Sequence, residues 1–199
     1  MQRSAKIALI AVVAVIVIGG AGFYWFVLRD TAPPVVTLGD APAATTGGAP
    51  ASADGNWKVQ QETSPEADSS DYTVFVGYRV MELFAGDTIK KEAVGRTVDV
   101  TGTMTIKGQT VPSAEIDATL TSLKSDRSPR DNIIRDLTLH GQTKSVTVPL
   151  DTRWNGANIQ ITGLVPITFS DYNIEKISIP TVSTDDKGSL EIALTFVPA

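Results

Sequence analysis

From Tyr72 to the C-terminus, apolar and polar residues alternate with a period of two in segment after segment. Val98, Val100, Met104 and Ile106 alternate with Thr97, Asp99, Thr101, Thr103 and Thr105. Ala114, Ile116, Ala118 and Leu120 alternate with Ser113, Glu115, Asp117, Thr119 and Thr121. Val146, Val148, Leu150 and Trp154 repeat the pattern, as do Ile159, Ile161, Val165, Ile167 and Phe169. Leu190, Ile192, Leu194 and Phe196 close the chain. Successive side chains of a strand point to opposite faces, so each segment has one apolar face and one wet face. Strands of this kind in series predict an antiparallel barrel or sandwich around one shared apolar interior.

Turn residues divide the pattern into elements. Trp57 to Gln61 reads as a first strand, and Tyr72 to Val80 as a second that Met81 to Phe84 continues. Ile89 to Val94, with Lys90, Lys91 and Glu92, reads as a mobile connection. Thr97 to Ile106 and Val111 to Leu123 form a hairpin about Lys107-Gly108-Gln109, where Gly108 supplies the positive φ such a turn needs. Ser128 to Arg135 reads as a short helix, with Ser128 as N-cap and Pro129 at the first helical position. Leu137 to His140 and Thr143 to Trp154 form a second hairpin, and Asn155-Gly156 turns into Asn158 to Phe169. Asp171 to Pro180 reads as irregular, and Asp185 to Gly188 as a turn into the last strand. That makes about eight strands. The connections are too short for βαβ crossovers, so the pairing is antiparallel.

The N-terminal quarter breaks the pattern. Ile7 to Leu28 contains no charged side chain. As a helix it would be roughly 33 Å long, against a bilayer hydrocarbon core of about 30 Å. Arg3 and Lys6 precede it, and Tyr24 and Trp25 lie near its far end. Basic residues stay on the cytoplasmic side and amphipathic rings favour the interface. This predicts a single-pass anchor at 7–28, residues 1–6 in the cytoplasm and the remainder outside. A cleaved signal peptide is the rival reading. Its apolar core is usually only about 7–15 residues and ends at a small-x-small site, whereas this run ends in Phe23-Tyr24-Trp25-Phe26. Residues 29–55, rich in Ala, Pro, Thr and Gly, cannot bury enough apolar surface to offset their ordering entropy and read as a flexible tether. Residues 56–199 remain as one folded domain.

Composition narrows the function. The chain of 199 residues carries a net charge of −5 and no Lys/Arg run, which argues against nucleic-acid binding. It has no cysteine, which excludes disulfides, thiolate metal sites and lipid attachment through cysteine. Nothing implies a metal or other cofactor. His140 is the only histidine. A catalytic triad would combine it with Asp136 or Asp151 and a serine such as Ser145, but no nucleophile elbow is present. The plainer reading is a strand-end histidine in turn hydrogen bonds, so no catalytic residue is assigned. Asp126, Arg127, Arg130, Asp131, Arg135 and Asp136 form a dense charge cluster. Arg130 or Arg135 could hold a phosphate head group through the guanidinium fork. The competing reading, helix capping and local salt bridges, is favoured because aspartates stand close by. Arg79 and Arg96 read as buried partners of carboxylates.

Four segments occur in a recognisable order: Gly77-Tyr78-Arg79-Val80; Val94-Gly95-Arg96-Thr97 followed by Val100-Thr101-Gly102; Ser125-Asp126 with Arg130-Asp131; and Asp136-Leu137-Thr138-Leu139-His140-Gly141-Gln142-Thr143-Lys144. Over Gly55 to Phe196 the chain resembles the YceI-like family, most of all its membrane-anchored actinobacterial form. The resemblance implies an all-β, antiparallel lipocalin-like β-barrel with one short helix, here preceded by the transmembrane helix. It also implies a polyisoprenoid or similar long amphiphile bound in the barrel interior, and no enzyme. Tyr78, Val80, Met104, Ile116, Trp154, Phe169 and Tyr172 are the candidate lining residues, with Arg130 the candidate for the head group. One departure stands out. Family members carry a further strand pair before the Leu-Thr-Leu-His-Gly strand, whereas here Arg135 runs directly into Asp136. A barrel short of a hairpin must re-pair its flanks, shrink or leave edges open. The alternative function is a β-rich interaction domain with a filled core and no ligand.

Overall fold

The structure, a computed structural model, describes residues 29, 31–38, 52–65, 68–84, 88–126, 148, 150–176, 178–179 and 182–199. The candidate anchor, the Ser128 to Arg135 helix, His140, Arg130 and most of the strand before Leu150 lie outside these residues. Contacts divide the chain into Met1–Thr31 and Ala32–Ala199, and the sheet belongs to the second unit.

Among the described residues ten strands form one antiparallel sheet with almost no helix. They are β1 (Gly55–Val59), β2 (Phe75–Phe84), β3 (Ile89–Thr97), β4 (Val100–Lys107), β5 (Thr110–Ala118), β6 (Lys124–Ser125), β7 (Asp151–Trp154), β8 (Ile159–Thr168), β9 (Ser178–Ile179) and β10 (Val182–Pro198). The all-β reading and the antiparallel pairing therefore hold. The 17-residue β10 organises the sheet. It pairs with β2 over its first two-thirds and with β1 at its end, while β8 and β9 pair with it as well. β2 leads to β3 and β6; β1 leads to β4 and β5; β8 leads to β7. Among the described residues the sheet does not close: the β5–β4–β1–β10–β2–β3–β6 path ends at β5 and β6.

Cross-strand partners share a face, so the register sorts the side chains. Trp57, Val59, Val74, Val100, Met104, Ile159, Leu194 and Phe196 form the buried core on one face. The other face carries a smaller buried group, Tyr72, Phe75 and Ala193, with Val36 and Val98 against it.

Three expectations are corrected. Ile89 to Val94 is strand rather than a connection: Glu92 pairs with Arg79 at 2.7 Å, and Lys91 is buried in register with Glu82. Asp185 to Gly188 is no turn but an irregularity inside β10, where the pairing jumps from Thr184–Glu82 to Gly188–Val80. The Asp186 carboxylate there accepts from the Ser170 N–H at 3.0 Å and the Ser170 hydroxyl at 2.8 Å. Within Asp171 to Pro180, Asp171 and Tyr172 complete a 3-10 turn, Phe169–Tyr172, and Ser178–Ile179 pairs with β10.

Two glycines let large side chains lie flat on the sheet. Gly77 and Arg96 are cross-strand partners, and a Cβ on Gly77 would run into the Gly95 carbonyl and stand 3.0 Å from Arg96 Cγ. Gly95 and Tyr78 are partners on the core face, and a Cβ on Gly95 would stand 2.9 Å from the Tyr78 Cζ. Gly77→Ala is therefore expected to cost about 1–3 kcal/mol by overpacking. Gly108→Asn, at a turn position with φ 61° that asparagine tolerates, should change little. Urea unfolding of both variants checks this; equal midpoints would remove the close-approach argument.

Candidate functional site

The core face is covered only in part. Its Trp57, Met104, Leu194 and Phe196 end is filled by large buried side chains. Further along, the register sets Tyr78 beside Leu190 and Gly95, and Val80 beside Gly188 and Ala93. Ile116 faces the same way across β4, opposite Gly102, and Trp154 across β8, opposite Ile159. Ile116 is 43% exposed, Leu190 39% and Trp154 37%. Large apolar side chains on one sheet face, open to solvent, form the kind of surface that takes up an apolar ligand.

Of the eight residues singled out from the sequence, Tyr78, Val80, Met104, Ile116 and Trp154 share this face by register. They do not play one part. Met104 is buried in the core cluster and Val80 is buried, Tyr78 is half-buried over Gly95, and Ile116 and Trp154 are exposed. Phe169 and Tyr172 lie in the 3-10 turn after β8. The Phe169 ring packs over Gly188, with its Cζ 2.7 Å from where a Cβ would stand. Arg130 lies outside the described residues. Leu190 joins the face although it was not a candidate; its signal is the β10 alternation taken in register with Tyr78. Beyond Val80, the row of Glu82, Lys91 and Thr184 is buried, so the apolar strip ends on polar side chains.

The opposite face holds a buried ion cluster. Glu191 is flanked by Arg79 and Arg96, whose strands β2 and β3 lie in sequence on one side of β10. The Arg79 Nη2 and Arg96 Nη2 donate to Glu191 Oε1 at 3.2 Å each, and Arg96 Nε donates to Oε2 at 3.2 Å. Arg79 Nε lies 3.2 Å from Oε2 as an ion-pair contact. The Arg96 guanidinium sits over the Phe75 ring, 4.1 Å from its centroid, a cation–π contact. Burial lowers the Arg96 pKa; the Glu191 charge opposes that shift and the Arg79 charge adds to it. The guanidinium stays protonated regardless. The expectation of carboxylate partners for Arg79 and Arg96 is thus met, and Glu191 is the shared one. Also on this face is a groove of about 530 Å³, lined by residues that include Val36, Tyr72, Arg153, Thr162 and Ala193.

Of the residues weighed for catalysis, Asp151 is exposed on β7, and His140, Asp136 and Ser145 lie outside the described residues. Among the described residues there is no group of three or more metal-ligating side chains. Comparison with curated proteins finds no match. Residues 113–196 match the model of the YceI-like domain, and this supports the resemblance to the YceI-like family.

Proposed function

We propose that this is an extracytoplasmic, membrane-tethered lipid-binding protein and not an enzyme. The open core face takes a polyisoprenoid or similar long amphiphile, within a shortened form of the YceI-like barrel. One observation carries this reading: Ile116, Trp154 and Leu190 are exposed, yet the register aims them to the same face as the apolar core. The YceI-like match over 113–196 and the uncharged run Ile7 to Leu28 support it, the second by supplying an anchor of membrane-spanning length. In this reading residues 1–6 are cytoplasmic, 7–28 span the membrane, 29–55 tether and 56–199 bind.

The test is uptake of a fluorescent polyprenol by the full chain in detergent, together with native mass spectrometry for co-purifying lipid. Saturable uptake is expected. Ile116→Asp places a charge on the apolar face and should weaken uptake about tenfold, or about 1.4 kcal/mol. Glu115→Lys, on the other face of the same strand, should leave uptake unchanged. No lipid and no uptake would favour the filled-core interaction domain instead.

A further inference from the structure

The segment before the sheet is read by the ion cluster through its backbone. The Pro33 carbonyl accepts from Arg79 Nη2 at 2.6 Å, and the Pro34 carbonyl accepts from Arg96 Nη2 at 3.2 Å. The Val36 N–H donates to Glu191 Oε1 at 3.1 Å. From the other side the Ser69 carbonyl accepts from Arg96 Nη1 at 3.0 Å. Two cationic donors and one anionic acceptor thus meet, in order, two carbonyls and one N–H of an extended stretch. Proline suits the first two positions. It offers a carbonyl but no N–H, so no donor is turned towards a guanidinium. Its fixed φ also holds the stretch extended before docking, which lowers the entropy lost. The contact completes the cluster as well, because one carboxylate cannot accept from all the N–H groups of two guanidinium forks. Pro33 is buried by it.

We propose that Arg79, Arg96 and Glu191 form a recognition site for an extended Pro-Pro-x-x segment, occupied in cis by Pro33 to Val36. This site lies on the face opposite the open apolar strip and does not depend on lipid binding. It fixes the start of the segment read from composition as a tether, and it is selective for backbone pattern rather than for side chains.

Two measurements on the full chain test it. In the first, amide hydrogen exchange in detergent should show Val36 protected roughly 100-fold over its unstructured rate. Exchange at the unstructured rate overturns the proposal. In the second, a fluorescein-labelled peptide with the sequence of residues 31–38 is added to the wild type and to Val36→Pro, which removes the N–H that Glu191 accepts. The peptide should bind the variant at least tenfold more tightly, because the segment in cis has lost one of its three backbone bonds and competes less well for the site. Equal binding to both, or binding to neither, overturns the proposal. If Val36→Pro does not fold, the exchange measurement decides alone.

Discussion

Glu191→Gln is expected to destabilise the domain by about 3–5 kcal/mol, the usual cost of removing one partner from a buried ion pair. Glu191 is 1% exposed and Arg96 is fully buried. In the wild type one carboxylate faces two guanidinium groups at 3.2 Å and neutralises the repulsion between them. Glutamine keeps the size but brings no charge and turns an NH₂ towards cations. Arg79 keeps Glu92 at 2.7 Å, so the larger loss falls on Arg96, whose remaining acceptors are the Ser69 and Pro34 carbonyls. A lysine could shed its proton under these conditions, but an arginine cannot. Replacing the whole cluster with apolar residues of similar volume, as in Arg79→Leu/Arg96→Met/Glu191→Leu, should cost less than Glu191→Gln alone, because no buried charge is stranded: Glu92, which loses Arg79, is 38% exposed and keeps its water. Urea unfolding at pH 7 compares the three proteins. A Glu191→Gln midpoint equal to wild type would show that the cluster is not a coupled buried unit.

The same residues show where the sequence was readable. Arg79 and Arg96 could be read as partners of carboxylates because a cation flanked by Tyr78 and Val80, or by Gly95 and Thr97, is sited for burial. Their partner could not be read. Glu191 sits between Leu190 and Ile192, where alternation assigns a wet face, and it lies 95 residues from Arg96 and 112 from Arg79. What buries that position comes from elsewhere in the chain: Arg79 and Arg96 beside it on the sheet face, and the Pro33 to Val36 stretch, whose Val36 N–H reaches the carboxylate. Alternation found β1, the β4–β5 hairpin, β8 and β10, since a period of two is a local property of one strand. It failed at β3, where Lys90-Lys91-Glu92 gave a loop composition, although Lys91 lies opposite Glu82 and Glu92 pairs with Arg79 across the sheet. Composition also hid the docking of Pro33 to Val36: a segment rich in Ala, Pro and Thr has little apolar surface to bury, but this contact is made by backbone groups. On the candidate site, the pattern grouped Tyr78, Val80, Met104, Ile116 and Trp154 on apolar faces. It could not separate buried Met104 from exposed Ile116, because exposure depends on what covers a face and not on the strand itself.

Acid should remove a second large contribution, from Glu62. This side chain is buried between the end of β1 and the start of β2. It accepts from the Thr63 and Ser64 N–H groups at 2.7 and 3.1 Å, from the Thr73 and Val74 N–H groups at 2.7 and 2.8 Å, and from the Thr73 hydroxyl at 3.0 Å. Burial pushes its pKa up, but the hydrogen bonds from Val74, Thr73 and Ser64 together outweigh it and bring the carboxyl from 4.5 down to about 2. A folded-state pKa below the unfolded value means that the unfolded chain binds the proton first. The stabilisation is therefore complete above pH 4.5 and is lost as the pH falls through about 2. Its size is about 3 kcal/mol, from the linkage of about 1.4 kcal/mol per pKa unit. Glu62→Gln should cost a similar amount at pH 7, because an amide cannot accept all of these bonds and turns a donor towards backbone N–H groups. Asp68 is also held below its ordinary value, first by the Ser70 N–H, so the acid slope of one protein does not isolate Glu62. The difference between wild type and Glu62→Gln does, since both carry Asp68. Urea unfolding at intervals from pH 7 to pH 2.5 should show that difference shrinking steadily below pH 4.5, as protonated Glu62 comes to resemble the amide. Two curves that stay parallel down to pH 2.5 would mean that the ionised carboxylate is not what joins β1 to β2.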